Sequence, residues 1–357
     1  MVKFFVKILA YLVCTFTLSL LMIFLSVRLK PDYFLGMRPE DYYQTTFQYS
    51  KINAHSDYKN IIIGDSKGSA AIDPKTMGKD WLNLSLGGSD FFEGFLALKH
   101  YLKQNKIDTL LMYYTNEIIE GHAVAFSSYT IPLQFPRPDE LDGLEATENK
   151  YGFLIHDAAG GDPVLLNRKD LLIKQKQRRL RYNRFPLSFR ETYLDGLNEL
   201  CTMYYADQNK KKTILHDLKE NLGQLSRGNL DSSNVDHFKR FLVNPNVKYR
   251  PNLIILSYLD SIMAMAKNRK IVTYLVVAPI NQTTYYNSYK NSIYESSSNS
   301  FFKETSKKYP NLKIISDPVF LPNSSFGDIF LHLNKKALKP YTAYIRNRLK
   351  YPGDLQN

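Results

Sequence analysis

The sequence predicts an α/β protein: a doubly wound, parallel sheet of about five strands, carrying a largely helical insertion and preceded by one N-terminal transmembrane helix. Three observations carry this expectation. Short, nearly unbroken apolar runs recur along the chain, several of them stopped by glycine or proline, as parallel strands buried on both faces require. Amphipathic stretches of helical period lie between those runs. Residues 8–27, ILAYLVCTFTLSLLMIFLSV, contain no charge at all.

The apolar N-terminal run comes first. Twenty residues at about 1.5 Å each span roughly 30 Å, the thickness of a bilayer's hydrocarbon core. Lys3 and Lys7 precede it and Arg28 and Lys30 follow it. It ends in Leu25-Ser26-Val27-Arg28, without the small-residue pattern of a signal-peptidase site. Val13 is too large to precede a lipidated cysteine at Cys14. The expectation is an uncleaved signal anchor over residues 1–30 that puts the chain in the cell membrane as a single-pass protein. Two cations on each side leave the positive-inside rule almost silent, so the extracytoplasmic side is assigned to the soluble part on general grounds. With Cys14 in the span and Cys201 alone, no disulfide is expected.

A polar and aromatic lead-in follows over 31–58, and then the strands. Asn60-Ile61-Ile62-Ile63-Gly64 is the first, and Trp81 to Leu86 the second, ending at Gly87-Gly88. Thr109 to Tyr114 is the third, Ile271 to Ala278 the fourth, stopped by Pro279, and Leu312 to Ile315 the fifth. Phe91, Phe95, Leu98 and Leu102 share one helical face ahead of the third strand. Leu253–Ala266 and Phe301–Lys308 read as helices ahead of the fourth and fifth, and Leu338, Tyr341, Ile345 and Leu349 mark a closing amphipathic helix. Residues 121–245 break the rhythm and show no strands of their own, as an insertion or cap would. The α/β domain is therefore expected in two parts, 31–120 and 246–357.

A 44% hydrophobic content excludes a disordered chain. The formal net charge is +13, of which the four cations flanking the span contribute four, leaving +9 for the rest. Much of this lies in 169–190, with Lys169, Lys174, Lys176, Arg178, Arg179, Arg181, Arg184 and Arg190, and in Lys210-Lys211-Lys212. The plain reading is a solvated helix face; the functional one is contact with anionic lipid or an anionic envelope polymer. No nucleic-acid motif accompanies the charge, no metal-ligand spacing appears, and no cofactor is expected. The sequons at Asn83, Asn281 and Asn323 carry no weight.

Chemistry-bearing residues collect at strand ends, as they do in open parallel sheets. Gly64-Asp65-Ser66 closes the first strand, Gly87-Gly88 the second, and Asn116 follows the third. Near the C-terminus stands Gly327-Asp328-Ile329-Phe330-Leu331-His332-Leu333-Asn334. Taken singly, Ser66 is as well suited to cap the next helix, and His332 to cap the last one. In this order the residues resemble the SGNH (GDSL-type) hydrolase superfamily over residues 60–120 and 250–350, about half the chain. The resemblance implies an SGNH/flavodoxin-like sheet. It implies Ser66 as nucleophile, His332 as general base and Asp328 as the carboxylate orienting it. It also implies an oxyanion hole from the Ser66 and Gly88 N–H groups and the Asn116 amide. Three residues separate Asp328 from His332 where the superfamily commonly has two, which leaves Asp317 as an alternative; Gly87 is likewise an alternative to Gly88. The remaining histidines sit in no comparable context.

With the N-terminal anchor, Val277-Ala278-Pro279-Ile280-Asn281 and His332-Leu333-Asn334 look like the membrane-anchored branch of that superfamily, which includes DltD and the alginate-type O-acetylation proteins. This implies a serine esterase or O-acyltransferase working on an anionic cell-envelope polymer or glycan beside a multispanning membrane-bound O-acyltransferase. Two alternatives stay open: a non-catalytic scaffold on the same fold, and an envelope deacylase using the same residues.

Overall fold

The computed structural model describes residues 2–29, 39–121, 130–131, 133–155, 164–183, 207–225, 245–282, 289–316, 319–327 and 332–350. Helix α1 (Val2–Leu29) is longer than the uncharged run and is long and apolar enough to cross a membrane or act as a signal anchor; its most apolar stretch is not buried. Then come α2 (Pro39–Ile52), β1 (Asn60–Gly64), α3 (Ser66–Ala71), α4 (Pro74–Met77), β2 (Trp81–Asn83), α5 (Phe91–Tyr101), β3 (Thr109–Tyr114) and α6 (Asn116–Glu120). The insertion contributes α7 (Pro138–Tyr151), β4 (Leu154–Ile155), β5 (Val164–Leu165), α8 (Arg168–Tyr182) and α9 (Asp207–Glu220). The chain returns to the sheet with α10 (Leu253–Asn268), β6 (Val272–Val277), β7 (Ile280–Asn281), α11 (Ile293–Lys308), β8 (Leu312–Ile315), β9 (Phe320–Leu321) and α12 (Lys335–Lys350).

Five parallel strands form one sheet in the order β2-β1-β3-β6-β8. All five expected strands are present. The second is regular only to Asn83, yet the Leu84 and Leu86 N–H groups still donate to the Ile62 and Gly64 carbonyls at 2.7 and 2.9 Å, so pairing continues over the whole expected run. Side chains alternate between two apolar cores, as the period of two requires. Ile61, Ile63, Leu110, Met112, Leu275 and Val277 pack with Phe91, Leu96, Ile255 and Ile262 of α5 and α10. Ile62, Leu111, Tyr113 and Val276 pack with Ala71, Ile72, Tyr341 and Ile345 of α3 and α12 on the other face.

Three expectations are corrected. The 31–58 lead-in contains α2, whose buried face carries Gln44 and Gln48 beside Tyr43 and Ile52. Gln44 donates to Ser69 Oγ, and Gln48 donates to the Gly223 carbonyl at 2.9 Å. Buried polar residues thus hide the apolar period. The insertion is not strand-free: β4 and β5 pair antiparallel, Leu154 with Leu165 and Ile155 with Val164, too short to show as a pattern. Helix α11 begins at Ile293, well before Phe301, because the Ser292 side chain accepts from the Glu295 N–H at 2.9 Å and caps it.

The basic stretch is largely structural on its inner side. Arg178 makes a two-pronged ion pair with Glu148, their side chains 8% and 0% exposed. Arg179 reaches Glu145 at 2.8 Å and also pairs with Asp142. All three acids lie on α7, so helix–helix packing consumes charge that the sequence shows as surplus. Arg184 and Arg190 lie outside the described residues. Glu148→Ala leaves Arg178 buried without its partner and is expected to cost about 3–5 kcal/mol, read as a lower urea midpoint at unchanged slope.

Glu140 locks α7 to α5. It accepts from Lys99 Nζ at 2.8 Å, His100 Nε2 at 2.9 Å and the Arg137 N–H at 3.0 Å. Burial alone pushes a carboxyl up, but these donors reverse that and hold Glu140 at about 2, below its ordinary 4.5. A depressed carboxylate stabilises the fold above its unfolded pKa and loses that contribution as the pH falls from about 4.5 to about 2. Glu140→Gln is expected to flatten the unfolding free energy across that acid window in a pH series of denaturation curves.

Candidate active site

Strand β1 is pressed unusually close to β3. A Cβ added at Gly64 would collide with the Tyr113 carbonyl, so glycine is required where the strand gives way to the turn. Asp65 then caps α3: its Oδ1 accepts the Lys67 N–H at 2.9 Å and the Gly68 N–H at 3.2 Å. Since Asp65 takes the capping role, the Ser66 hydroxyl is left for other work, and the capping alternative for Ser66 is overturned. Asp65 is 3% exposed. Burial pushes its carboxyl up, opposed by the nearby Lys67 and His332 and by the two backbone donors.

Ser66 Oγ lies 2.8 Å from His332 Nε2. Two residues 266 positions apart meet because the backbone at Phe326 and Gly327 is tied to that at His332 and Leu333. Phe326 and Leu333 pair antiparallel, and the Gly327 N–H donates to the His332 carbonyl at 2.7 Å. Asn334 fixes the exit. Its Nδ2 donates to the Ser324 and Phe326 carbonyls at 2.7 and 3.2 Å, and its Oδ1 accepts the Lys336 and Ala337 N–H groups that open α12. Asn334, not His332, therefore caps the last helix. The imidazole is buried, at 4% exposure. For Nε2 to accept the serine proton, the other ring nitrogen must carry the N–H. Both candidate orienting acids, Asp328 and Asp317, lie outside the described residues.

Gly88 and Asn116 flank this pair from the neighbouring strand ends. The Ser89 N–H donates to the Leu86 carbonyl at 3.2 Å, closing a turn in which Gly88 has φ +63°. Gly87 has no positive φ, so it is Gly88 whose backbone requires glycine. Ser89 Oγ ties the turn to the Gly64 carbonyl at 2.7 Å. Asp90 and Glu93 form a capping box just behind it, and burial together with the adjacent Glu93 pushes the Asp90 carboxyl well up. Among the described residues, the Ser66 and Gly88 N–H groups donate to no acceptor.

Asn116 opens α6, which Thr115 caps. Its amide lies against the Tyr289 hydroxyl, and its buried Oδ1 has no hydrogen-bond partner among the described residues. An ion pair of 3.0 Å joins Lys67 to Glu117, so the residues directly following Ser66 and Asn116 hold the two helix starts together. Beside them opens a small cleft, lined by Asn116, Val277, Ala278, Pro279, Ile280 and Tyr289 among others.

The structure thus brings Ser66 and His332 into contact and sets Gly88 and Asn116 on adjacent strand ends. Sequence reasoning missed four supporting residues. Asp65 was readable as an acid one position before a helix start. Asn334 stood two residues after the histidine with the type of an N-cap. The Lys67–Glu117 pair, 50 positions apart, left no local signal.

Replacing Asn334 by alanine removes the cap of α12 and both carbonyl contacts. It is expected to lower stability by about 1–2 kcal/mol, measured by chemical denaturation. No family model matches the chain, and no curated protein matches its sequence.

Proposed function

We propose that the chain is a membrane-anchored serine esterase or O-acyltransferase of the SGNH type. In this reading it acts on a cell-envelope polymer or glycan through an acyl-serine intermediate. The observation that carries this is the 2.8 Å approach of Ser66 Oγ to His332 Nε2 at the carboxyl end of the central sheet. The sheet order supports it. Numbered along the chain, the five strands run 2-1-3-4-5, the flavodoxin-like order whose switch point lies between the first and third strands. Ser66 and Asn116 follow those two strands.

In this mechanism His332 takes the Ser66 proton as the oxygen attacks the acyl carbonyl carbon. The C–O π bond opens to an oxyanion held by the Ser66 and Gly88 N–H groups and by the Asn116 amide. Collapse breaks the ester C–O bond, and the leaving alkoxide takes the proton from His332. A water or an acceptor hydroxyl then gives its proton to His332 and attacks the acyl-serine, and as the acyl C–Oγ bond breaks His332 returns that proton to Ser66 Oγ. The multispanning O-acyltransferase partner belongs to this proposal as the source of acyl groups.

Full-length protein in detergent is expected to label with a fluorophosphonate, and Ser66→Ala to abolish labelling. Labelling that survives Ser66→Ala in a folded sample would defeat the covalent mechanism. Asn116→Ala is expected to slow labelling by about 10²–10³-fold, and His332→Ala by about 10²–10⁴-fold. Polymer ester content separates transfer from deacylation, since it falls on deletion in the first case and rises in the second. A Ser66→Ala, His332→Ala double variant that restores full polymer acylation in deleted cells would instead favour the scaffold.

A further inference from the structure

The outward face of α8 is unlike a solvated one. Its inner face, built on Leu171, Gln175 and Arg178, is buried against the insertion. On the opposite side, Lys169, Leu172, Ile173, Lys176 and Leu180 fall within an arc of about 100° at the helical repeat. All five are exposed, Leu172 by 52%, Ile173 by 44% and Leu180 by 38%. Leu165, just ahead of the helix, is 59% exposed. The arc itself contains no acid; Arg168 stands beyond one edge, and Asp170, hydrogen-bonded to Asn167, and Arg181 beyond the other. Single exposed apolar residues are ordinary on a protein surface, but an aligned set of them is not.

We propose that this face of α8 lies in the headgroup region of the bilayer that anchors the chain, as a basic interfacial helix binding anionic lipid. The proposal rests on the reading of α1 as a membrane anchor. Leucine and isoleucine side chains enter the boundary between headgroups and acyl chains, while the lysines extend along them to reach anionic headgroups. A soluble polyanion would use the lysines alone and leave three large aliphatic side chains in water. The covalent tether is short enough. Nine residues separate α1 from α2, a reach of at most about 35 Å between their ends. Tyr49, ten residues or about 15 Å along α2, stacks edge-on against Phe135 at 5.0 Å between ring centres. The neighbouring Gln134 donates to the Tyr182 carbonyl at the end of α8 at 3.2 Å. The C-terminal end of α8 is therefore held beside the helix that leaves the anchor.

The test uses full-length protein with Cys14 and Cys201 replaced by serine, reconstituted into phosphatidylcholine vesicles containing about one-third phosphatidylglycerol. An environment-sensitive fluorophore is attached at Ile173→Cys, at Leu180→Cys, or at the exposed control Lys303→Cys on α11. Spin-labelled lipids carrying the quencher just below the headgroups are expected to quench the two α8 probes severalfold more than the control. Lys169→Glu with Lys176→Glu is expected to remove most of that difference. Equal quenching at Ile173→Cys and Lys303→Cys overturns the proposal. So does shielding of the α8 probes by a soluble anionic glycan without quenching by lipid. A probe at Leu12→Cys with a deep quencher reports the anchor separately. Quenching there without quenching on α8 defeats this inference and leaves the anchor standing, whereas loss at both positions defeats both.

Discussion

The pairing of β1 with β3 is the constraint on which the candidate site depends. Because β2 lies on one side of β1 and β3 on the other, the two connections leave β1 and β3 in opposite directions and open a crevice between their carboxyl ends. The register places Gly64 opposite Tyr113, so Ser66 and Asn116 emerge side by side. Gly64 makes this approach close. A side chain there would meet the Tyr113 carbonyl, prising apart the two strands that set the spacing between Ser66 and Asn116.

Around that crevice, short polar side chains do the positioning. Asp65, Thr115 and Asn334 each occupy a helix N-cap, and each stands next to, or two residues from, a residue of the candidate site. A cap fixes backbone geometry at the first turn, so it also fixes the neighbouring side chain's direction. The Lys67–Glu117 pair acts in the same sense. With side chains 16% and 29% exposed, it contributes little stability, about 0–1 kcal/mol for a pair of that kind. Its geometric effect is larger, because it links the starts of α3 and α6 directly.

What the sequence made legible follows from the range of the interactions involved. The strands of the sheet were readable because burial on both faces leaves a local apolar run, and α5, α10 and α12 because one face is buried. Helix α2 was hidden because Gln44 and Gln48 occupy core positions and donate their amide N–H groups to Ser69 Oγ and the Gly223 carbonyl, partners far away in the chain. The ion pairs on the inner side of the basic stretch were hidden for the same reason: Glu148, Glu145 and Asp142, about thirty positions earlier, meet it only after folding. Ser66 and His332 were nominated by order along the chain, and only folding could show them in contact. The sequons resolve too. Asn83 and Asn281 are fully buried, and Asn83 donates to the Gly68 and Ile72 carbonyls at 3.1 Å. These asparagines serve the core and are closed to modification in the folded protein.

The same contacts connect the N-terminal helix to the candidate site. Helix α2, the next described element after α1, is stitched to the helix that carries Ser66: Gln44 donates to Ser69 Oγ, three residues beyond Ser66. Behind it, the Leu225 N–H donates to the Ser69 carbonyl at 3.2 Å, and the Asn83 N–H to the Leu222 carbonyl at 3.0 Å, so the insertion's last turn braces the same helix. The chain between α1 and α2 reaches at most about 35 Å, and Gln44 stands about 8 Å along α2. A bilayer spanned by α1 would therefore hold Ser66 within about 60 Å of its surface. In the proposed reading, a polymer acted on at Ser66 would have to present its hydroxyls within that reach of the membrane, and groups farther out in the envelope would lie beyond it. The N-terminal helix and α2 would in this way set the substrate range as much as the cleft beside Asn116.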